Sequence, residues 1–195
     1  MTMKLFLYFM IYSMLGWTIE SIFVSITNKR IINSGFLMGP YCPIYGLGAF
    51  IVLFILSSFH DNFILLFILS FLLTSILEYF TSYLLEKIFG ILWWDYSKMK
   101  FNIKGRVCLI NSILFGFMSL FVTYIVHPMI YTFIENNSNT SLRFMFIFLF
   151  IIFIIDSFIS IKRLIKFKQA LSSFNEDMIS IKNYLNKFPT MYIKK

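Results

Sequence analysis

Five long runs of apolar residues set the hydrophobic pattern of the chain. Each run comes close to the roughly 20 residues that a helix needs to cross a bilayer, and none alternates like a strand of an outer-membrane barrel. We therefore predict an all-α fold, a polytopic membrane helix bundle with about five transmembrane helices. The predicted spans cover residues 5–26, 43–59, 63–85, 107–126 and 142–161, and the fourth can continue past Pro128.

The C-terminal tail carries a different pattern. Apolar residues from Leu164 to Phe188 recur at alternating spacings of three and four, a heptad stripe typical of an amphipathic helix, and Pro189 follows it. We predict a transmembrane helical domain over residues 1–161 and a cytoplasmic amphipathic helical tail over residues 162–195. The stripe can pair with another helix, dock on a partner protein or lie on the membrane surface.

Lysine and arginine are distributed unevenly between the two sides that five spans define. Fifteen of the 17 fall in loop 27–42, in loop 86–106 and in the tail, whereas Lys4 and Arg143 fall on the other side. Cytoplasmic loops of membrane proteins are enriched in basic residues. We therefore predict that the N-terminus lies outside and the C-terminus in the cytoplasm.

Composition agrees with a membrane protein and excludes several other classes. Hydrophobic residues make up 59% of the chain and charged residues 13%, against about half and a quarter in soluble domains. The net charge of +8 fits basic cytoplasmic loops, and no motif points to nucleic acid. Cys42 and Cys108 lack metal-ligand spacing, and no phosphate-binding loop of the G-x-x-x-x-G-K-[ST] type is present. We expect no metal, no cofactor and no recognised catalytic motif.

A segment rich in glycine and proline precedes the second span. Residues 35–48, GFLMGPYCPIYGLG, hold half of the 8 glycines and half of the 4 prolines. Such a segment either forms an interfacial turn or re-enters the membrane, where irregular backbone survives only when protein or a cavity surrounds it. The candidate backbone positions are Gly35, Gly39, Pro40, Pro43 and Gly46.

Loop 86–106 is aromatic and charged. Trp93, Trp94 and Tyr96 suit the headgroup region, where an interfacial aromatic belt forms. Asp95 between them is unusual for a mere belt, so residues 88–104 can also form a second re-entrant segment.

Acidic side chains inside the spans are the main candidates for function, because they are costly in a bilayer. We predict a cytoplasm-facing polar cluster in which Arg106 directly contacts Glu78, Glu86 or Asp95 and Glu20 faces the same region. Gly16 would permit close helix approach beside Glu20. The alternative is a set of structural pairs, and Asp156 is interpreted as an end-of-helix residue that reaches the interface. The candidate cluster comprises Glu20, Glu78, Glu86, Asp95, Asn102 and Arg106.

Four strings in the chain resemble a known family. They are GWTIES (16–21), SGFLMGPYCPIYGLGA (34–49), LEYFTSYLLEKIFGILWWDYS (77–97) and FNIKGRVCLINSILFG (101–116). They resemble the ABC-transporter type IV (CmpB-like) family of bacterial membrane proteins. The resemblance implies a multi-pass protein of the bacterial cytoplasmic membrane, a permease-like component of a transport system. It also implies a separate ATPase subunit and a homo-oligomer or another membrane subunit.

Three functions stay open on the sequence. The first is the transport component, with the loop or the tail as the docking surface for an ATPase. The second is a small membrane enzyme that acts on a lipid or lipid-linked group. The third is a non-catalytic assembly or regulatory protein. Membrane lipid is an expected partner in all three cases.

Overall fold

Long helices dominate the computed structural model, which describes residues 2–90 and 92–187, with side chains at 2–90, 92–170 and 172–174. Four helices of the described part are long and apolar enough to cross a membrane, which confirms the all-α membrane fold. They are α1 (Thr2–Asn28), α3 (Phe63–Phe89), a helix in two parts formed by α4 (Leu109–Phe121) and α5 (His127–Asn136), and α6 (Asn139–Lys187).

A π-helical turn joins α4 to α5. Proline lacks an N–H and its ring clashes with the carbonyl one turn earlier, so it normally breaks a helix. Residues Val122–Val126 form a π-helix that ends two residues before Pro128, and the His127 amide bonds to the Val122 carbonyl. This wider turn lets the chain pass Pro128 in helical form, so the fourth span reaches Asn136 rather than residue 126.

The second predicted span is shorter than expected. It consists of α2 (Pro43–Phe50), a π-helical turn (Ile51–Ile55) and a 3-10 turn (Ser57–Phe59). The apolar helix from Pro43 to Ile55 measures only about 20 Å at 1.5 Å per residue. A bilayer core is about 30 Å thick, so this helix is shorter than the span predicted over residues 43–59 and does not cross the core by itself.

The residues before α2 explain how such a short helix can complete a crossing of the membrane. Residues 29–42, called here the re-entrant segment, run back along α1 without regular structure. The Ile32 amide bonds to Ser25 Oγ, the Ser34 amide bonds to Ser21 Oγ, and the Cys42 amide bonds to the Ser13 carbonyl at 2.9 Å. The segment therefore climbs from the end of α1 to about half its length, and α2 has to cover only the remainder. These contacts along α1 favour the re-entrant interpretation of the Gly/Pro segment.

Small residues allow α2 to lie against α1. A Cβ atom at Gly46 would come within 2.4 Å of Ser13 Oγ, and one at Gly16 within 2.2 Å of the Tyr45 ring. The close helix approach predicted at Gly16 is thus confirmed. Pro43 opens α2 at its first turn, where the missing N–H would be unpaired anyway.

Helix α6 is continuous across the predicted boundary between residues 161 and 162. Of the heptad stripe, Leu164 is half-buried, whereas Phe167 and Phe174 are 55% and 61% exposed. The side chains of Leu171, Met178, Ile181 and Leu185, together with Phe188 and Pro189, lie outside the described part. The Lys168 ammonium donates to the Ile88 carbonyl at the end of α3 (2.8 Å), which fixes the start of the tail at the same end as loop 92–108.

Candidate functional site

One face of α3 carries the polar side chains around which the site is built. Glu78, Ser82 and Glu86 follow one another at intervals of four residues, so they line one side of the helix. Glu78 and Ser82 are only 4% and 2% exposed, and Glu86 is half-buried. This face looks into the bundle rather than towards lipid.

Arg106 closes the end of this face. Its guanidinium forms an ion pair with Glu86 and donates to Ser82 Oγ at 3.4 Å. It also lies 5.8 Å and 5.6 Å from the ring centres of Tyr79 and Tyr83, a cation–π arrangement. The predicted contact between Arg106 and one of three acids is confirmed, and the partner is Glu86.

Replacing Arg106 should cost stability, because it leaves Glu86 and Ser82 without their donor. The two side chains are 13% and 38% exposed, so solvent compensates part of the loss. We expect Arg106→Ala to lower the free energy of unfolding by about 1–2 kcal/mol. Arg106→Lys should recover part of this, since an ammonium lacks the planar fork. Unfolding in mixed micelles measures the change.

Lys104→Ala is the matched control, because Lys104 is an exposed base two residues away. An Arg106→Ala protein that unfolds like the Lys104→Ala protein would contradict the assigned pair.

The deepest contact of the site joins Glu78 to the loop. Loop 92–108 contains a short antiparallel hairpin with strands of two residues each, β1 (Asn102–Ile103) paired with β2 (Val107–Cys108). From this loop the Tyr96 hydroxyl reaches into the bundle and donates to Glu78 Oε1 at 3.1 Å. Burial and the nearby Glu78 carboxylate raise the pKa of Tyr96, so it stays a neutral donor. The other oxygen, Glu78 Oε2, is buried without a hydrogen-bond partner in the described structure.

Glu20 approaches the same place from α1. It is half-buried, follows one turn after Gly16, where α1 meets the Tyr45 ring of α2, and lies close to the Glu78 side chain. The prediction that Glu20 shares an interior region with the acids of α3 agrees with this placement. We call Glu20, Tyr45, Glu78 and Tyr96 the buried acidic cluster.

Asp95 and Asn102, predicted to line the cluster, instead support their own loop. Asp95 is exposed and accepts a hydrogen bond from the Ser97 amide (2.9 Å), which holds the pKa of Asp95 below its usual range. The Asn102 amide group donates to the Met99 carbonyl, and its oxygen accepts from the Gly105 amide (2.9 Å). Short polar side chains in turns often bond to nearby backbone in this way, and this local bonding keeps both residues out of the interior.

The loop aromatics also turn towards protein rather than forming a row of exposed interfacial rings. Trp94 Nε1 donates to the Arg106 carbonyl (2.8 Å). The Trp93 ring packs edge-on against Phe36 at 6.0 Å between ring centres. Trp93 therefore links loop 92–108 to the re-entrant segment, and the two unusual segments of the sequence meet in space.

Asp156 has a role that the sequence interpretation missed. It does not end a helix but lies within α6, where its carboxylate accepts hydrogen bonds from the Gly39 amide (3.0 Å) and the Tyr41 hydroxyl (2.7 Å). The Met38 amide and the Ser160 hydroxyl complete the set. Gly39 fits because a Cβ there would come within 2.5 Å of the Tyr41 ring, and Gly35 adopts a positive φ of 89°. Pro40 is exposed.

Comparison with known proteins places this geometry in a family. Residues 7–161 match the family described as “Putative ABC-transporter type IV”. The chain belongs to this family. The matched range contains the buried acidic cluster, Arg106, the re-entrant segment and Asp156, and ends where the predicted tail begins. No curated protein and no solved structure matched the chain. The protein is therefore a multi-pass membrane protein of this family.

Proposed function

We propose that the protein is the permease-like membrane component of an ABC-type transport system, and that loop 92–108 docks a separate ATPase subunit. The observation that carries this proposal is the contact between Tyr96 and Glu78. An exposed loop at one end of the bundle reaches, through a single side chain, the buried carboxylate in its interior. A partner that moves the loop would also move the Tyr96 hydroxyl, which donates a hydrogen bond to that carboxylate.

Charge supports a cytoplasmic position for this loop. Most of the basic residues lie at one end of the bundle. This end, called here the basic end, carries Lys29 and Arg30, loop 92–108 and the start of the tail. The positive-inside rule supports a cytoplasmic position for the basic end, where ATP is available. A cysteine introduced at Lys98 should resist membrane-impermeant thiol reagents in whole cells and react after permeabilisation.

The chain itself lacks a phosphate-binding loop of the usual type, so energy from ATP has to come through a partner. Lys98, Lys100 and Lys104 are exposed on loop 92–108, and they favour a partner surface that carries acids. The hairpin and the bonds of Asn102 hold these bases in a fixed arrangement, which suits a docking surface better than a mobile loop.

The decisive experiment is purification of the tagged protein from its own cells in mild detergent, with the co-purifying proteins identified by mass spectrometry. We expect an ATPase that contains the phosphate-binding loop and hydrolyses ATP. The double change Lys98→Glu and Lys100→Glu should reduce its recovery at least tenfold. Arg143→Glu, at the opposite end of the bundle and also exposed, should leave recovery unchanged.

Recovery of no ATPase from wild-type protein would overturn the transport proposal. An ATPase that is recovered equally with both variants would retain the transport role but move the docking surface away from this loop.

A further inference from the structure

A groove lies between α1 and the re-entrant segment, on the side of α1 away from the buried acidic cluster. It has a volume of about 380 Å³ and is walled by Ile22 and Ile26 of α1 and by Ile31 and Ile32 of the segment. Ile22, Ile26 and Ile31 are 55%, 73% and 100% exposed. The groove is therefore open at the side of the bundle, where membrane lipid would lie.

The polar groups on the floor of the groove are already used within the protein. Trp17 Nε1 donates to Asn33 Oδ1 at 2.5 Å, and Thr18 Oγ1 donates to the Met14 carbonyl at 2.8 Å. Ser21 Oγ accepts from the Ser34 amide, and Ser25 Oγ bonds to the backbone of Ile32. Since these groups are satisfied internally, the groove offers little to a polar solute and suits a hydrocarbon chain.

The length of the groove matches one leaflet. From Trp17 to Ile26 the groove follows α1 over ten residues, and the nine steps between them span about 14 Å at 1.5 Å per residue. Half of a bilayer core of about 30 Å is about 15 Å. A chain lying in the groove would thus extend from the membrane surface to near the midplane.

Two basic residues stand at the mouth of the groove. Helix α1 ends in a turn in which the Lys29 amide bonds to the Ile26 carbonyl and the Arg30 amide to the Ser25 carbonyl, an arrangement that normally places glycine at the position of Lys29. Lys29 keeps a positive φ of 52° there, and both bases are exposed. No described carboxylate forms an ion pair with either base.

We propose that this groove binds one anionic phospholipid, with an acyl chain along Ile22 and Ile26 and its phosphate between Lys29 and Arg30. The site is separate from the buried acidic cluster and does not depend on the transport proposal. Basic residues at the membrane surface contribute about 1 kcal/mol each to binding of anionic lipid, so two should favour an anionic over a zwitterionic headgroup about 30-fold.

Native mass spectrometry of the purified full-length protein tests the proposal with dioleoyl phosphatidylglycerol and dioleoyl phosphatidylcholine as probes. Wild-type protein should bind one phosphatidylglycerol about 30-fold more tightly than phosphatidylcholine. The double change Lys29→Gln and Arg30→Gln should remove this preference, whereas Lys98→Gln and Lys100→Gln, which remove the same charge at the same end, should not.

A second pair of variants tests the chain-binding part. Ile22→Trp fills the groove and should weaken binding of both lipids. Ile19→Trp is the matched control, since Ile19 is similarly exposed on α1 (51%) but does not line the groove. Equal affinity of wild-type protein for the two lipids, or tight binding of free glycerol phosphate that Ile22→Trp does not affect, would overturn the proposal.

Discussion

Asp156→Ala is expected to release the re-entrant segment from α6. The carboxylate accepts hydrogen bonds from two backbone amides of the segment and from the Tyr41 hydroxyl, and Tyr41 is 1% exposed. Hydrogen bonds to charged groups contribute about 1.5–3 kcal/mol each, and water can replace the bond to the exposed Met38 amide. The variant should therefore lose about 2–5 kcal/mol in the free energy of unfolding.

The reactivity of Cys42 reports whether the re-entrant segment has been released. It ends the re-entrant segment, is buried, and its amide bonds to the Ser13 carbonyl. In a Cys108→Ser background, where Cys42 is the remaining cysteine, maleimide should label Cys42 slowly in the parent protein and much faster after Asp156→Ala. Asp61→Ala is the matched control, because Asp61 is exposed in the turn before α3. Unchanged labelling of Cys42 in the Asp156→Ala protein would show that the carboxylate does not hold the segment.

The sequence predicts the long helices and the Arg106 pair for simple physical reasons. Apolar runs have to be long to cross a bilayer, and helical spacing places Glu78, Ser82 and Glu86 on one face whatever the tertiary structure is. Arg106 directly precedes the next predicted span, so it is the base of the loop that lies nearest to these acids. Such features depend on local periodicity and on charge balance, which the sequence displays directly.

Other parts of the site depend on the path of irregular backbone, which periodicity does not predict. Asp156 could be placed only once residues 38–41 were known to climb beside α6. The sequence predicts Tyr96 as one of the interfacial aromatics, because nothing in it shows that the loop folds inward so that Tyr96 reaches Glu78. For Asn102 the sequence does contain a clue to its local role. Asparagine three residues before Gly105 is typical of a turn in which the side chain bonds to the backbone.

Glu78→Gln is expected to stabilise the protein and to impair the transport system at the same time. The wild-type carboxylate is 4% exposed, leaves one oxygen without a partner in the described structure, and lies near the Glu20 carboxylate. A buried charge without full compensation is more costly than a buried neutral amide, and glutamine still accepts a bond from Tyr96. We expect a gain of about 1–3 kcal/mol, seen as a rise of several degrees in Tm.

Glu86→Gln provides the opposite result on the same face of α3. Because Glu86 is paired with Arg106, its neutralisation should lower Tm rather than raise it. Opposite changes in Tm for the same substitution would distinguish Glu86, a paired acid that stabilises the fold, from Glu78, an acid that reduces stability. Tyr96→Phe should also lower Tm, because it leaves both oxygens of Glu78 without a hydrogen-bond donor in the described structure.

Measurements of activity decide whether the loss of stability caused by Glu78 serves a function. Buried groups that reduce stability are expected at working sites and not at purely structural ones. In the complex with its ATPase subunit, both Glu78→Gln and Tyr96→Phe should reduce the rate of ATP hydrolysis that depends on the membrane component at least tenfold. Arg143→Ala, an exposed change at the opposite end of the bundle, should not. A Glu78→Gln protein with lower Tm and full activity would make Glu78 a structural residue, because its charge would then stabilise the fold and serve no step of transport.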